Sequence, residues 1–230
     1  MSMYLWCEDS RSGYRFWQSI LREIHPEINV ETKESNSGLR KAVCAIVPDG
    51  NEYYIVMDTA MDNPDVLRET KRLADAAKGK DNIHIMRLHS FEFALLSFDL
   101  LEQWVFAAVD ALKDQRQELL KARALFVEKM SSTIGEAAGL DAFKATFDDV
   151  GNKNSEQIAA KLLYGITRNT GFETDKSRLG ACFVNNCCEW EARQSDDICG
   201  LDDHRINAHD KARLLVERSV LKEAFEGAGL

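Results

Sequence analysis

The sequence contains little proline, no long apolar segment and no internal repeat. Only 3 of the 230 residues are proline and 13 are glycine, while 45% are hydrophobic, so extended disorder is not expected. A run of about 18 apolar residues, which a membrane-spanning helix needs, is absent. The first residues also lack the basic-then-apolar layout of a signal peptide, so we expect a cytoplasmic protein that makes no membrane contact.

A Walker-type glycine-rich loop is also missing, so any dependence on ATP would have to come from a separate partner subunit. Acidic residues outnumber basic residues, 38 to 29, and the formal net charge is -9. This charge argues against a protein that coats nucleic acid through its overall electrostatic field. Recognition of nucleic acid would therefore have to depend on a local site.

Strand and helix signals alternate in the first part of the chain. Short apolar or β-prone runs lie at Tyr4–Glu8, Ile28–Thr32, Tyr53–Met57 and Ile83–Leu88. Helical patterns separate these runs, and the third helix has a capping residue, Asn63, followed by Pro64 at its first position. The succession predicts an α/β domain over residues 1–106, with a mostly parallel sheet and flanking helices.

The remainder, residues 107–230, is predicted to be mainly helical. Apolar residues first adopt helical spacing from Phe91 to Val109. Further helices are predicted at about 113–130, 140–147, 155–166 and 210–225. The chain is therefore expected to consist of an α/β domain followed by a helical region that includes a cysteine-rich segment.

Acidic residues follow two of the predicted strands. Glu8 ends the first apolar run, and Asp58 and Asp62 follow the third. Because the carboxyl ends of parallel strands share one edge of a sheet, these side chains should converge. Converging carboxylates repel one another, and a bound divalent cation relieves that repulsion; oxygen ligands favour Mg²⁺ or Mn²⁺ over zinc. Taken singly, each acid also fits an ordinary strand-end or turn residue.

This arrangement of acids resembles the TOPRIM domain, which is found in topoisomerases, primases and OLD-family nucleases. The family motif after the apolar strand is D-x-D-x-D-G or a shorter D-x-D. Asp58 matches the first acid and Asp62 the third, whereas Ala60 stands in place of the second acid and Asn63 where glycine often stands. The resemblance covers roughly the first 105 residues.

A second segment extends the resemblance. The stretch His89–Leu96 is similar to the glutamate-containing segment after the fourth strand of stand-alone bacterial TOPRIM-like proteins associated with phage defence. The resemblance places Glu92 near the same sheet edge, where it would complete the metal site. Considered alone, Glu92 also fits an acid at the start of a helix, where it interacts favourably with the helix dipole.

The resemblance implies metal-dependent phosphoryl transfer on DNA or RNA by a TOPRIM-like nuclease, in the role of a bacterial anti-phage effector. The metal held by Asp58 and Asp62 would offset charge on the phosphate, and Glu8 would hold a second ion or accept a proton from the attacking water. A partner ATPase is compatible with this family. The alternative, suggested by Ala60, is a catalytically degenerate scaffold whose helical half serves as a protein-interaction module.

Four of the six cysteines lie close together near the end of the sequence. They are Cys182, Cys187, Cys188 and Cys199, and two histidines, His204 and His209, follow them. Zinc would accept four of these six side chains in tetrahedral geometry. The alternative is a set of buried thiols that pack with Phe183 and Trp190 inside a helical region.

Overall fold

The computed structural model describes residues 1–60, 62–131, 140–141, 143–145, 153–187, 199–201 and 205–230. Within them, four strands form one all-parallel sheet. The strands are β1 (Met3–Cys7), β2 (Ile28–Thr32), β3 (Glu52–Asp58) and β4 (Ile83–Leu88). The predicted α/β class with a parallel sheet is therefore confirmed.

The strand order, β2-β1-β3-β4, reverses direction at β1. The chain adds β2 on one side of β1 and then returns to add β3 on the other side. In an open parallel sheet, the carboxyl ends of two such neighbouring strands bound a crevice in which ligands collect. The fold therefore has its topological switch point between the ends of β1 and β3.

Helices cover both faces of the sheet. The first three are α1 (Ser12–Ile24), α2 (Asn36–Ala45) and α3 (Pro64–Ala77). Alternate residues of β3 serve the two faces: Tyr54 packs in the core that includes α1, whereas Ile55 packs in the core that includes α2 and α3. Cover on both faces explains why β3 is a continuous apolar run. Asn63 caps α3 as predicted, since its side chain accepts a hydrogen bond from the Asp65 N–H at 3.1 Å.

The rest of the described chain is helical, as the sequence predicts. Its helices are α4 (Phe91–Ser97), α5 (Leu101–Val105), α6 (Ala111–Gln115), α7 (Gln117–Met130), α8 (Ser155–Thr167), α9 (Ala181–Val184), α10 (Ala208–Glu217) and α11 (Leu221–Ala228). In this region α11 packs against β4 and α10 packs against α1. One hydrophobic core joins residues such as Leu5 and Trp17 to Phe126 and Phe183. A domain boundary at residue 106 stays a prediction.

Two of the predicted helices are interrupted at residues that make tertiary hydrogen bonds. The segment 113–130 breaks at Arg116, whose buried guanidinium donates to the backbone oxygens of Gly165 and Arg168. The segment 210–225 breaks near Val220, whose N–H donates to the Ser97 hydroxyl at 3.2 Å. Apolar periodicity cannot register such contacts because their partners lie far away in sequence. Among the described helices, none is long and apolar enough to cross a membrane.

Candidate active site

Carboxyl groups from several elements meet at the carboxyl edge of the sheet. Glu8 and Asp9 follow β1, Asp58 ends β3, Glu92 lies in the first turn of α4, and Glu156 lies in the first turn of α8. The charges of the other four groups all raise the pKa of Asp58, so the five groups interact electrostatically. The structure therefore brings Glu8, Asp58 and Glu92 to one edge, as the sequence predicts. We call these five residues the carboxyl cluster.

Burial is the largest cause of an unusual set of pKa values in the carboxyl cluster. It raises the pKa of Asp58 well above the ordinary aspartate value, and it raises those of Glu8 to about 8, Glu92 to about 7 and Asp9 to about 6. Neighbouring carboxylates add to the effect on Glu8, which a hydrogen bond from the Asn36 side chain partly opposes. Near neutral pH the cluster therefore retains protons that isolated carboxyl groups would have released.

A cavity of about 460 Å³ opens at this edge. Its wall combines acidic side chains of the carboxyl cluster with two basic ones, Arg11 and Lys176. The side chains of Arg11 and Lys176 are exposed and form no hydrogen bond or ion pair with any residue that the structure describes. Lys176 nevertheless lowers the pKa of Glu156 through its charge. The cavity thus presents both cation-binding and anion-binding groups.

Local contacts hold the strand ends in place. The N–H and hydroxyl groups of Thr59 both donate to the Leu88 oxygen, at 2.8 and 3.1 Å, and so join the ends of β3 and β4. The Asp9 carboxyl lies against Gly13, where an added Cβ would stand 2.3 Å from the Asp9 Cγ. Glycine is therefore required at position 13 if Asp9 is to keep this position.

Asp62 lies beside the carboxyl cluster, where its charge raises the pKa of Glu156, and it also bonds the start of α8. Its carboxylate accepts hydrogen bonds from the Ser155 N–H at 2.9 Å and the Ser155 hydroxyl at 2.6 Å. Asn154 and Gln157 form a capping box at the same helix start. Asp62 therefore fixes the beginning of α8, which carries Glu156. A metal-binding or catalytic role for Asp62 stays a prediction, with which these two bonds compete.

Whether these residues suit a cation depends on their spacing and on their donor atoms. Across the described ranges, no three Asp, Glu, His or Cys side chains are grouped closely enough to form a preformed metal site. The donor atoms themselves fit a hard cation, because the cluster offers carboxylate oxygens and the Asn36 Oδ1 is buried without a hydrogen-bond partner. An unsatisfied amide oxygen beside repelling carboxylates is relieved by a cation. Binding of Mg²⁺ or Mn²⁺ stays a prediction.

The cysteine-rich segment is described in part. Cys182, Cys187 and Cys199 are half buried and pack against the main hydrophobic core. Cys188 and His204 lie outside the described residues, and Nδ1 of His209 lies 2.7 Å from the Glu23 backbone oxygen. Packing against the core agrees with the alternative of partly buried thiols. The zinc site stays a prediction.

The sequence reasoning missed five residues of this site: Asp9, Arg11, Asn36, Glu156 and Lys176. Asp9 could have been predicted from the sequence, because it directly follows Glu8 at the same strand end. Glu156 had a weaker signal, since the capping residues around it predict a helix start but not the position of that helix against the sheet. Nothing local indicated Lys176.

Comparisons with known proteins give no further assignment. No family model matches the chain, and no significant match was found among curated proteins or solved structures. The TOPRIM resemblance therefore stays a prediction from the sequence.

Proposed function

We propose that this chain is a Mg²⁺- or Mn²⁺-dependent phosphoryl-transfer enzyme that acts on nucleic acid, in the simplest case a nuclease. The observation that supports this function best is the carboxyl cluster at the switch point of the sheet. Burial raises the pKa of all five acids, the charges of the other four also raise that of Asp58, and none of the five pairs with a basic side chain within the described part of the chain. Strongly perturbed groups that line a cavity are typical of functional sites.

Glu8, Asp58 and Glu92 are the residues that would hold the cation. When bound, a divalent cation offsets negative charge on a phosphoryl group and makes a bound water more acidic. Glu8 has a pKa of about 8 and is oriented by the Asn36 amide. A group with a pKa near the working pH serves well as a general base. Where Asp58 and Glu92 alone hold the cation, Glu8 would instead accept the proton of the attacking water.

Nucleic acid is the proposed substrate class. Phosphoryl transfer acts on a phosphate ester, and the backbone of nucleic acid consists of such anionic esters. Arg11 and Lys176 supply positive charge at the cavity, although the whole chain carries a formal charge of -9. Such local cations allow a phosphate to approach an acidic protein. The resemblance to TOPRIM proteins supports the same class, and it also supports a role in phage defence together with a separate ATPase or other protein partner.

The alternative function is a catalytically degenerate scaffold that acts as a protein-interaction module. Two observations favour it. Ala60, at the position of the second acid of the family motif, is fully buried, and Asp62, at the position of the third, is bonded to Ser155. In this alternative the carboxyl edge no longer carries out chemistry, and the helical part of the chain binds a partner protein.

Cleavage assays on the full chain test the proposal. Single- and double-stranded DNA and RNA are incubated with Mg²⁺ or Mn²⁺, and the native protein is compared with folded Glu8→Ala and Asp58→Ala variants. We expect each variant to lose about a hundredfold or more in rate. Glu52→Ala is the matched control, because Glu52 lies at the other end of β3 and contacts His84 at 2.8 Å. Absence of cleavage and of stabilisation by either cation would reject the enzyme and leave the scaffold.

A further inference from the structure

The amino terminus of α1 opens onto the cavity without a cap. The preceding residue, Arg11, makes no capping hydrogen bond, and the first turn of this 13-residue helix contains no acid. The helices α2 and α4 also begin at the cavity, but Ser35 and Ser90 cap them. An uncapped helix start presents free N–H donors and the positive end of the helix dipole. Of these three helix starts, that of α1 is the one without a capping hydrogen bond, although the Asp9 carboxyl lies against its Gly13.

Ser12 gives an independent indication of a ligand. Its side chain lines the cavity although the residue is only 3% exposed, and its hydroxyl makes no hydrogen bond with any described residue. The N–H groups of Ser12 and Gly13 likewise make no hydrogen bond to a described residue. The Ser12 hydroxyl is not fully buried, so a ligand in the cavity can reach it. A ligand with acceptor oxygens would accept hydrogen bonds from these donors.

Two cations accompany these donors. Arg11 directly precedes the helix, and Lys176 reaches the cavity from the segment between α8 and α9. A tight turn holds this segment, in which the Asp175 carboxylate accepts hydrogen bonds from the N–H groups of Ser177 at 2.7 Å and Arg178 at 2.9 Å. Helix N–H groups, a hydroxyl and two cations together are the donor set that binds phosphate.

We propose that the cavity contains a phosphate-binding site at the amino terminus of α1. The Ser12 hydroxyl and the first-turn N–H groups donate to the phosphate oxygens, and Arg11 and Lys176 neutralise the phosphate charge. The site rests on the proposed function and deepens it, since it places a phosphate beside the carboxyl cluster. A volume of about 460 Å³ suits a phosphate with one attached nucleoside better than a duplex. The ligand is therefore a free phosphate ester or the end of a strand.

Calorimetric titration of the full chain with inorganic phosphate tests this site, once with Mg²⁺ and once with a chelator. We expect Arg11→Ala and Ser12→Ala each to weaken binding about tenfold, as expected for loss of one charge-assisted or buried hydrogen bond. Arg15→Ala is the matched control, because Arg15 is also exposed on α1 but does not line the cavity. We expect its dissociation constant to stay within about twofold of the native value.

Two results would overturn the site. One is the absence of phosphate binding under both conditions, which would mean that the Asp9 carboxyl against Gly13 already satisfies the helix start. The other is equal affinity of Arg11→Ala and Arg15→Ala. Failure of the proposed function looks different: phosphate binds and depends on Arg11, but no nucleic acid is cleaved. Titrations with a 5′-mononucleotide and with an oligonucleotide that has a terminal phosphate then distinguish a free phosphate ester from the end of a strand. The natural ligand should bind more tightly than inorganic phosphate.

Discussion

Acidic residues at the two edges of the sheet differ in their hydrogen-bond partners and in the direction of their pKa shifts. At the amino edge, Glu52 begins β3 and contacts the His84 ring at 2.8 Å. Asp49, in the turn before β3, accepts hydrogen bonds from the Tyr53 hydroxyl at 2.7 Å and from the Asn51 N–H at 3.0 Å. These bonds lower the pKa of Asp49. The amino edge therefore satisfies its carboxylates with donors from the same chain.

At the carboxyl edge hydrogen bonds only partly offset the effects of burial and of neighbouring acids on the pKa values of Glu8 and Glu92. Burial and the charges of nearby acids raise the pKa of Asp58 and of Glu8, and the Asn36 amide only partly offsets the effect on Glu8. An arrangement of this kind opposes folding, so other interactions must offset it. The contrast shows that a raised pKa is not a general property of acids at the ends of these strands. The carboxyl edge is therefore the place where the proposed cation would have the largest effect on stability.

The largest expected effect comes from removing the charge of Asp58. We expect Asp58→Asn to abolish stabilisation by Mg²⁺, which for the native protein reaches about 2.7 kcal/mol at a concentration of one hundred dissociation constants. Without a cation the same variant should be more stable than the native protein by about 1 kcal/mol, because an amide need not be protonated on burial. Urea unfolding at pH 8 with and without Mg²⁺ measures both quantities.

The control for this variant lies at the other edge. Asp49→Asn removes a carboxylate that the chain already satisfies, so it should lower stability slightly and leave the Mg²⁺ effect unchanged. Equal stabilisation of both variants by Mg²⁺ would show that the cation binds elsewhere. The contrast between the two edges would then have no functional meaning.

The second prediction concerns pH. The pKa of Glu8 is raised from 4.5 to about 8 and that of Glu92 from 4.5 to about 7, so the folded state holds protons that the unfolded state has lost. Stability therefore falls as pH rises towards these folded-state values. His89 has a pKa lowered from 6.5 to about 4, which affects stability with the opposite sign but mainly below pH 6.5. The window from pH 6.5 to 8.5 isolates the carboxyl groups.

In that window we expect the free energy of unfolding without metal to fall by about 1–2 kcal/mol. Urea titrations at pH 6.5, 7.5 and 8.5 in the presence of a chelator measure the slope. Glu8→Gln should make the slope shallower without abolishing it, because the amide does not titrate but Glu92 and Asp58 still do, whereas Glu52→Gln should leave the slope unchanged. If the native protein and Glu8→Gln share one slope, the carboxyl edge carries no unusual protonation.

The sequence allowed the sheet and part of the site to be predicted because those signals are local. Continuous or alternating apolar runs located the strands, and the strand-end rule placed Glu8 and Asp58 at one edge. Glu156 could not be predicted, since its position depends on the packing of α8 against the sheet. The same holds for Asp62, whose partner Ser155 lies 93 residues away in sequence. Periodicity also missed the helix break at Arg116, whose guanidinium makes tertiary hydrogen bonds.

The third prediction decides what Asp62 does. Ser155→Ala removes the hydroxyl that donates to Asp62 at 2.6 Å, and we expect a loss of about 1–2 kcal/mol in stability. Asp62→Asn should cost a similar amount, and the double variant should cost less than the sum because both changes remove one interaction. Stabilisation by Mg²⁺ should survive in all three variants. Its loss in Asp62→Asn alone would make Asp62 a metal ligand, as the sequence suggests.

The smallest effect is expected at Gly13. A Cβ at this position would stand 2.3 Å from the Asp9 Cγ, so Gly13→Ala must displace the Asp9 side chain. Stability should change by less than about 1 kcal/mol, because the gain in helix propensity offsets part of the displacement. Mg²⁺ affinity, measured by calorimetry, should fall several-fold if Asp9 contributes to the cation site. Gly227→Ala in α11, where an added Cβ meets open space, should leave it unchanged. Unaltered affinity in both variants would confine the cation to Glu8, Asp58 and Glu92, and would leave Asp9 as a neighbour that only raises their pKa values.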